Sequence, residues 1–140
     1  MPRHAKDVVL DSWAVLAFLQ DEPAGKQVAD IIADIHEAGA GVYMTVANAG
    51  EVWYIVAREA SESDADTSVA DLQKIGVQFV DINWELTRVA ARFKARGRLS
   101  YADAYAAALA KQSKCELLTG DPEFQALDGE IKIRWLANVS

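Results

Sequence analysis

Short β-branched runs alternate with longer amphipathic stretches along the whole chain. The first run, residues 7–11 (DVVLD), is apolar and bounded by acids, the pattern of a buried strand. Residues 12–19 (SWAVLAFL) follow as a helix. Pro23 restarts the chain, and Val28, Ile31, Ile32 and Ile35 recur at helical spacing through about Glu37, where Gly39 and Gly41 close the element. A short strand at 42–44 leads into a helix through about Ala60, with Thr45 placed to cap it. On that helix Asn48 and Glu51 are three apart and share a face. Val46, Ala49, Gly50, Trp53 and Ala57 mark another face, while Val52, Ile55 and Val56 leave little of the surface polar. A helix so apolar is either deeply buried or part of an interface.

Residues 61–66 form a polar break before a helix at 67–75, which ends at Gly76. Residues 77–82 alternate as a strand. Residues 84–96 form a helix with Leu86, Val89, Ala90 and Phe93 on one face, broken by Gly97. The stretch 100–124 (SYADAYAAALAKQSKCELLTGDPEF) predicts helix, short turn, buried strand and a sharp turn into another helix. Pro122 suits the first position of that helix and leaves Asp121 outside it. A last strand falls at 131–133, where the alternation suits a sheet edge. Strands and helices alternate throughout, so the expected class is α/β with a mostly parallel sheet. The 140 residues show no repeat, low-complexity segment or linker, which predicts a single domain over 1–140.

Composition adds few constraints. The chain is 51% hydrophobic and 25% charged, an ordinary globular balance. Charges interrupt the apolar stretches well short of the roughly 18 residues a membrane span needs. The residues MPRHAKD lack the apolar core of a secretory leader, and a single cysteine, Cys115, allows no internal disulfide. Both point to a cytoplasmic location. The net charge of −7 argues against binding nucleic acid through overall electrostatics. Arg88, Arg92, Lys94, Arg96 and Arg98 are a local exception. They form either a solvated helix face and loop or a rim that contacts phosphates.

The candidate chemistry lies in four acids: Asp11, Glu51, Asp103 and Asp121. Asp11 and Asp121 each stand where a strand gives way to a helix, the edge at which open α/β sheets bind ligands. Each acid also has a purely structural reading. Asp11 and Asp121 suit N-caps, Ser100 and Asp103 form a pattern like a capping box, and Glu51 suits a solvated helix face. Taken jointly they acquire a second meaning. Carboxylates about 5 Å apart repel by roughly 3 kcal/mol per pair at an effective dielectric near 20. Such a cluster either raises its pKa values or holds a cation. Oxygen ligands without histidine or cysteine suit Mg²⁺ or Mn²⁺ rather than zinc. His4 and His36 lie outside any ligand spacing, and neither a Gly-rich phosphate loop nor a Ser/His/Asp or Cys/His arrangement is present.

VVLDSWAVLAFL with Asp11, TVANAGEVWY with Glu51, LSYADAYAAALA with Asp103 and LLTGDPEF with Asp121 occur in that order across nearly the whole chain. In this the sequence resembles the PIN-domain family, and more narrowly the VapC-type toxins of bacterial and archaeal toxin–antitoxin pairs. The resemblance implies a PIN-like three-layer α/β/α fold and a metal-dependent endoribonuclease. Asp11, Asp103, Asp121 and Glu51 would then hold Mg²⁺ or Mn²⁺, while Ser12, Thr45, Asn48 and Thr119 match small polar positions near that site. Asn48 stands where threonine is frequent, and VWYIVAREA replaces the usual Leu-rich stretch and glycine after Glu51. The resemblance further implies an RNA substrate, a cognate VapB-like antitoxin, and a homodimer or a higher assembly with the antitoxin. Trp13, Trp53, Tyr54 and Ile55 are candidate antitoxin contacts or ordinary core. Three other readings stand beside the enzyme. They are a PIN fold that binds RNA or protein without cleaving, a receiver-like phospho-acceptor, and a phosphatase with aspartates two apart after the first strand. Asp11 is followed by Ser12-Trp13, which lacks the second acid the phosphatase requires.

Overall fold

The computed structural model describes residues 6–136, so His4 and the rest of the first five residues fall outside it. Five strands form one sheet: β1 (Val8–Leu10), β2 (Val42–Thr45), β3 (Val77–Val80), β4 (Glu116–Thr119) and β5 (Ile133–Trp135). They lie in the order β3-β2-β1-β4-β5, and every pairing is parallel. Val8 of β1 is in register with Val42 on one side and Glu116 on the other, so β1 is central. Both sheet faces are buried, which explains why β1 and β4 read as unbroken apolar runs.

Alternation along the strands sorts the core into two layers. Val9 and Leu117 point to the side covered by α5 (Trp84–Arg96) and α6 (Tyr101–Ser113). Val8, Leu10 and Leu118 point to the other side, against α1 (Ser12–Leu19), α2 (Pro23–Glu37), and parts of α3 (Val46–Glu59) and α4 (Glu62–Lys74). The result is the expected three-layer α/β/α arrangement. Gly25 lets α2 cross close to α1, because a Cβ there would come within 2.3 Å of the Ala17 carbonyl oxygen. Helix α6 is buried from Asp103 through Ala110, and its alanines keep that backbone close to the sheet.

The differences from expectation are local. Helix α4 begins at Glu62 rather than 67, because Ser61 caps it and Glu62 and Asp64 occupy its first turn, where negative charge is favourable. Strand β3 ends at Val80, two residues before the expected end. The last strand is Ile133–Trp135 rather than 131–133; Ile131 instead bridges Asp128. The element after Asp121 is a short 3-10 turn, Pro122–Leu127, and not an α-helix. Helix α3 resolves into a buried side carrying Asn48, Ala49 and Val52 and a partly exposed side carrying Tyr54.

Candidate functional site

In the order β3-β2-β1-β4-β5 the chain leaves β1 toward one side and reaches β4 on the other, so the topological switch point lies between β1 and β4. Asp11 follows β1 and Asp121 follows β4, which places both at this crevice. Asp11 does cap α1, its Oδ1 accepting the Ala14 N–H at 2.8 Å. Its other oxygen accepts the Thr119 hydroxyl, and Thr119 Oγ1 in turn accepts the Asp121 N–H at 3.0 Å. One threonine thus ties the two strand-end aspartates together. Asp121 also caps the 3-10 turn through Oδ1 and the Glu123 N–H at 3.0 Å. The capping readings were correct and are compatible with a second role.

Asp103 lies in the first turn of α6, with its N–H bound to the Ser100 hydroxyl at 3.1 Å. One carboxylate oxygen from each of Asp103, Asp121 and Glu123 lies within 4.8 Å of the other two. Glu123 was not among the sequence candidates. Its place depends on the tight turn after Pro122, and the only signal for it was a second acid two residues beyond Asp121. Asp11 lies behind this trio, fully buried, and Glu51 acts on Asp103 from α3.

Burial raises the Asp11 carboxyl from its ordinary 3.8 to about 8, opposed by the Thr119 and Ala14 hydrogen bonds and aided by the charges of Asp103 and Asp121. Asp103 rises from 3.8 to about 6, through burial first and then repulsion from Asp121 and Glu51, with Glu123 adding to it. Among the described residues the ion pairs are Arg96–Glu130 and Lys111–Glu130, and none of them neutralises these acids. Among the described residues the crevice therefore keeps an excess of carboxylates over cationic partners.

Asn48 holds the acid-bearing elements together. Fully buried at the start of α3, it donates from Nδ2 to Ser12 Oγ and to the Ala102 carbonyl, both at 3.1 Å. Its Oδ1 accepts the Thr45 hydroxyl, and its N–H donates to Thr45 Oγ1 at 3.1 Å. Ser12, Thr45, Asn48 and Thr119 are all buried; the first three form this clamp, and Thr119 ties Asp11 to Asp121. Asn48→Ala strands several of these groups, so it should lower unfolding free energy by about 2–4 kcal/mol in a denaturant titration. A loss below about 0.5 kcal/mol would show that the clamp carries little.

Trp13 supports the Asp121 turn from below. A Cβ on Gly120 would come within 2.3 Å of the Trp13 ring, so the indole lies against that glycine's backbone. Gly120→Ala should displace the ring and shift Asp121, lowering unfolding free energy by about 1–3 kcal/mol in a denaturant titration. Trp13→Leu in the same chain should restore part of it by making room. A Gly120→Ala protein as stable as the parent would show that the indole does not pack tightly on that glycine.

The other candidates are dispersed. Arg88, Arg92, Lys94, Arg96 and Arg98 are all exposed. Arg96 is not free, however: its guanidinium grips Glu130 at 2.9 and 3.1 Å and lies over the Phe93 ring. Trp53 donates its indole N–H to Asp66 at 2.9 Å, tying α3 to α4; Trp13 and Ile55 are half-buried, and Tyr54 is exposed. His36 packs against the Gly76 turn. Cys115 is buried just before β4, and burial pushes its thiol up to about 11, so it is inert packing.

With this crevice at the switch point of a parallel sheet, the chain defines an acidic-site α/β protein, and known proteins place it further. Residues 8–130 match the PIN domain. The chain belongs to the PIN domain family. No curated protein matches it in sequence. Among solved structures, VapBC from Salmonella typhimurium bound to DNA shares 12% identity over 94% of this chain and 99% of that one, with a TM-score of 0.72. VapC20 of Mycobacterium tuberculosis, a toxin that cleaves the sarcin–ricin loop, shares 17% identity over 85% and 93%, with a TM-score of 0.65. FitAcB from Neisseria gonorrhoeae shares 18% over 94% and 99%, at 0.69. The fold is that of these three structures. Among the described residues no helix is long and apolar enough to cross a membrane.

Proposed function

We propose that this chain is a divalent-metal-dependent endoribonuclease of the VapC type, acting in the cytoplasm and restrained by a VapB-like antitoxin. The observation that carries this reading is the convergence of Asp103, Asp121 and Glu123 within 4.8 Å, with buried Asp11 behind them. The donor set fits the cation: hard carboxylate oxygens, no thiolate or imidazole among them, and no ion pair neutralising them among the described residues. Asp103, Asp121 and Glu123 would hold Mg²⁺ or Mn²⁺ directly, with Asp11 and Glu51 bound through water or to a second ion. A bound divalent ion supplies a polarised phosphate and a more acidic water.

The protein's own groups do the rest. Thr119 keeps Asp11 and Asp121 in a fixed relation, and the Asn48 clamp sets the spacing of the elements that carry Asp11, Glu51 and Asp103. The burial of Asp11 excludes water behind the site. Arg98 and, from the exposed surface of α5, Arg88, Arg92 and Lys94 supply positive charge for an RNA backbone. Exposed Tyr54 and half-buried Trp13 and Ile55 offer an apolar surface to an antitoxin segment, and a homodimer or a higher assembly with the antitoxin is part of the same proposal. The solved toxin–antitoxin structures of this fold support that partner class.

The test is cleavage-site mapping on total RNA with Mg²⁺ or Mn²⁺ and again with EDTA. Discrete cuts that need the metal are expected. Binding of RNA without any cut, at saturating metal, would replace this reading by that of a non-cleaving PIN module.

A further inference from the structure

A cavity of ≈ 280 Å³ opens at the amino end of β4, the sheet edge opposite the acidic crevice. Three lysines line it: Lys111 in the last turn of α6, Lys114 at that helix's cap, and Lys132 just before β5. Their backbones are fixed. Lys114 N–H donates to the Lys111 carbonyl at 3.3 Å, Cys115 N–H donates to the Ala110 carbonyl at 3.1 Å, and the Lys132 carbonyl accepts the Leu117 N–H at 2.8 Å. Only side-chain freedom is lost when a ligand draws the three ammonium groups together. Buried Cys115 and Ile131 give the cavity an apolar floor.

Lys114 is the unusual member. Its φ of 53° and ψ of 41° lie in the left-handed region, which glycine usually fills at a helix end. A lysine there bears strain that glycine avoids, and in return it sets a cation on the cavity wall. The carboxylate that lines the cavity, Glu130, already accepts Lys111 Nζ at 3.1 Å and the Arg96 guanidinium at 2.9 and 3.1 Å. If Lys111 turns to another anion, Arg96 keeps Glu130 paired, so the exchange orphans no charge. Lys114 and Lys132 have no ion pair among the described residues. Asp7 and Glu116 act on Cys115 from nearby, but neither lines the cavity, and Asp7 is engaged by the Gly41 N–H at 2.8 Å.

We propose that this cavity binds a small phosphate, free or as a monoester, between Lys114 and Lys132, with Lys111 as an exchangeable third donor. Three cationic donors facing one paired carboxylate suit a dianion. The volume falls just below the roughly 300–1,000 Å³ of pockets for drug-sized ligands, which restricts the occupant to a small one. The site lies on the other edge of the sheet from the acids, so it stands whether or not the chain cleaves RNA.

Isothermal titration calorimetry of the full chain, in EDTA and at constant ionic strength set by chloride, tests the site with inorganic phosphate and with methyl phosphate. Saturable binding at about one equivalent is expected. The tighter of the two identifies the source: methyl phosphate if the apolar floor contacts an ester carbon, inorganic phosphate if the lysines alone contribute. Lys132→Gln should weaken binding about tenfold, as the loss of one charge-assisted hydrogen bond does. Lys114→Gly should do the same while keeping or raising the thermal midpoint in chloride, because glycine takes the left-handed backbone without strain. That variant separates the charge from the conformation. Lys74→Gln, which removes the same charge from the exposed end of α4, should leave binding unchanged. Absence of saturable binding by either phosphate overturns the site, as does binding that survives both Lys114→Gly and Lys132→Gln. An equal loss in Lys74→Gln also overturns it, by reducing the effect to diffuse attraction.

Discussion

Asp11→Asn is expected to lower RNA cleavage at least a thousandfold and, at the same time, to leave the metal-free protein as stable as the parent or more so. The two halves follow from one location. Asp11 is fully buried behind the carboxylate trio, with both oxygens already hydrogen-bonded. As an anion it would contribute the charge that draws a proposed cation into the crevice, and a neutral amide of the same shape cannot replace that charge. In the empty protein the same charge is a burden, since burial holds the carboxyl at about 8. The amide keeps a carbonyl for the Ala14 N–H and offers an N–H to Thr119 Oγ1 in place of the bond it received. Cleavage assays and thermal unfolding on one preparation check both halves. Parental cleavage by Asp11→Asn would remove the residue from the chemistry, whereas a large fall in thermal midpoint would make it a structural residue.

The second large effect concerns pH and metal together. The unfolded chain releases the Asp11 and Asp103 protons near 3.8, but the folded, metal-free protein retains them to about 8 and about 6 respectively. Between those values the native state binds more protons than the unfolded state, so stability falls as pH rises and the loss is complete only above about 8. Each pKa unit corresponds to about 1.4 kcal/mol, so several kcal/mol are at stake, moderated for Asp103 by its contact with solvent. In EDTA the thermal midpoint should drop by about 10 °C between pH 5.5 and 8.5. Saturating Mn²⁺ should reverse most of that drop at pH 8.5 and do much less at pH 5.5, where protons compete for the same oxygens. A midpoint indifferent to both variables would mean that the buried acids are neutralised by something other than a proton or a cation. Asp11→Asn should flatten the pH slope, which links the two experiments.

The features legible in the sequence were those governed by local rules. The ends of β1 and β4 stood out because apolar runs stop at Asp11 and at Thr119-Gly120-Asp121. Helices α2 and α5 kept their expected limits because Pro23, Gly39 and Gly97 mark them. Residues 62–66 looked like a loop because no apolar periodicity begins there until Ala65, yet a Ser61 cap and two acids in the first turn suffice to start α4. Glu123 was invisible for the opposite reason. An exposed glutamate after a proline has no period to betray it, and only the tightness of the turn returns its carboxylate to Asp121. Arg96 looked like part of a free basic run because its partner, Glu130, lies far along the chain. The Trp13 contact with Gly120 and the reach of Asn48 to Ala102 are likewise tertiary facts, set by how close α1, α3 and α6 approach at the sheet edge.

The hydroxyl that joins Asp11 to β4 belongs to a residue 108 positions further along the chain. A ribosome adding about 5–20 residues per second needs roughly 5 to 20 s to travel that distance. Throughout that interval β1 has a vacant edge where β4 will pair, Asp11 lacks its threonine, and Asp103, Asp121 and Glu123 do not yet exist together. A polypeptide not yet synthesised through Glu123 therefore cannot bring these acids together, however well its first strands have folded. For a protein whose activity would be directed at RNA, the parallel order of the sheet thus provides a delay: the machinery that makes the chain is spared until nearly every acid has left it.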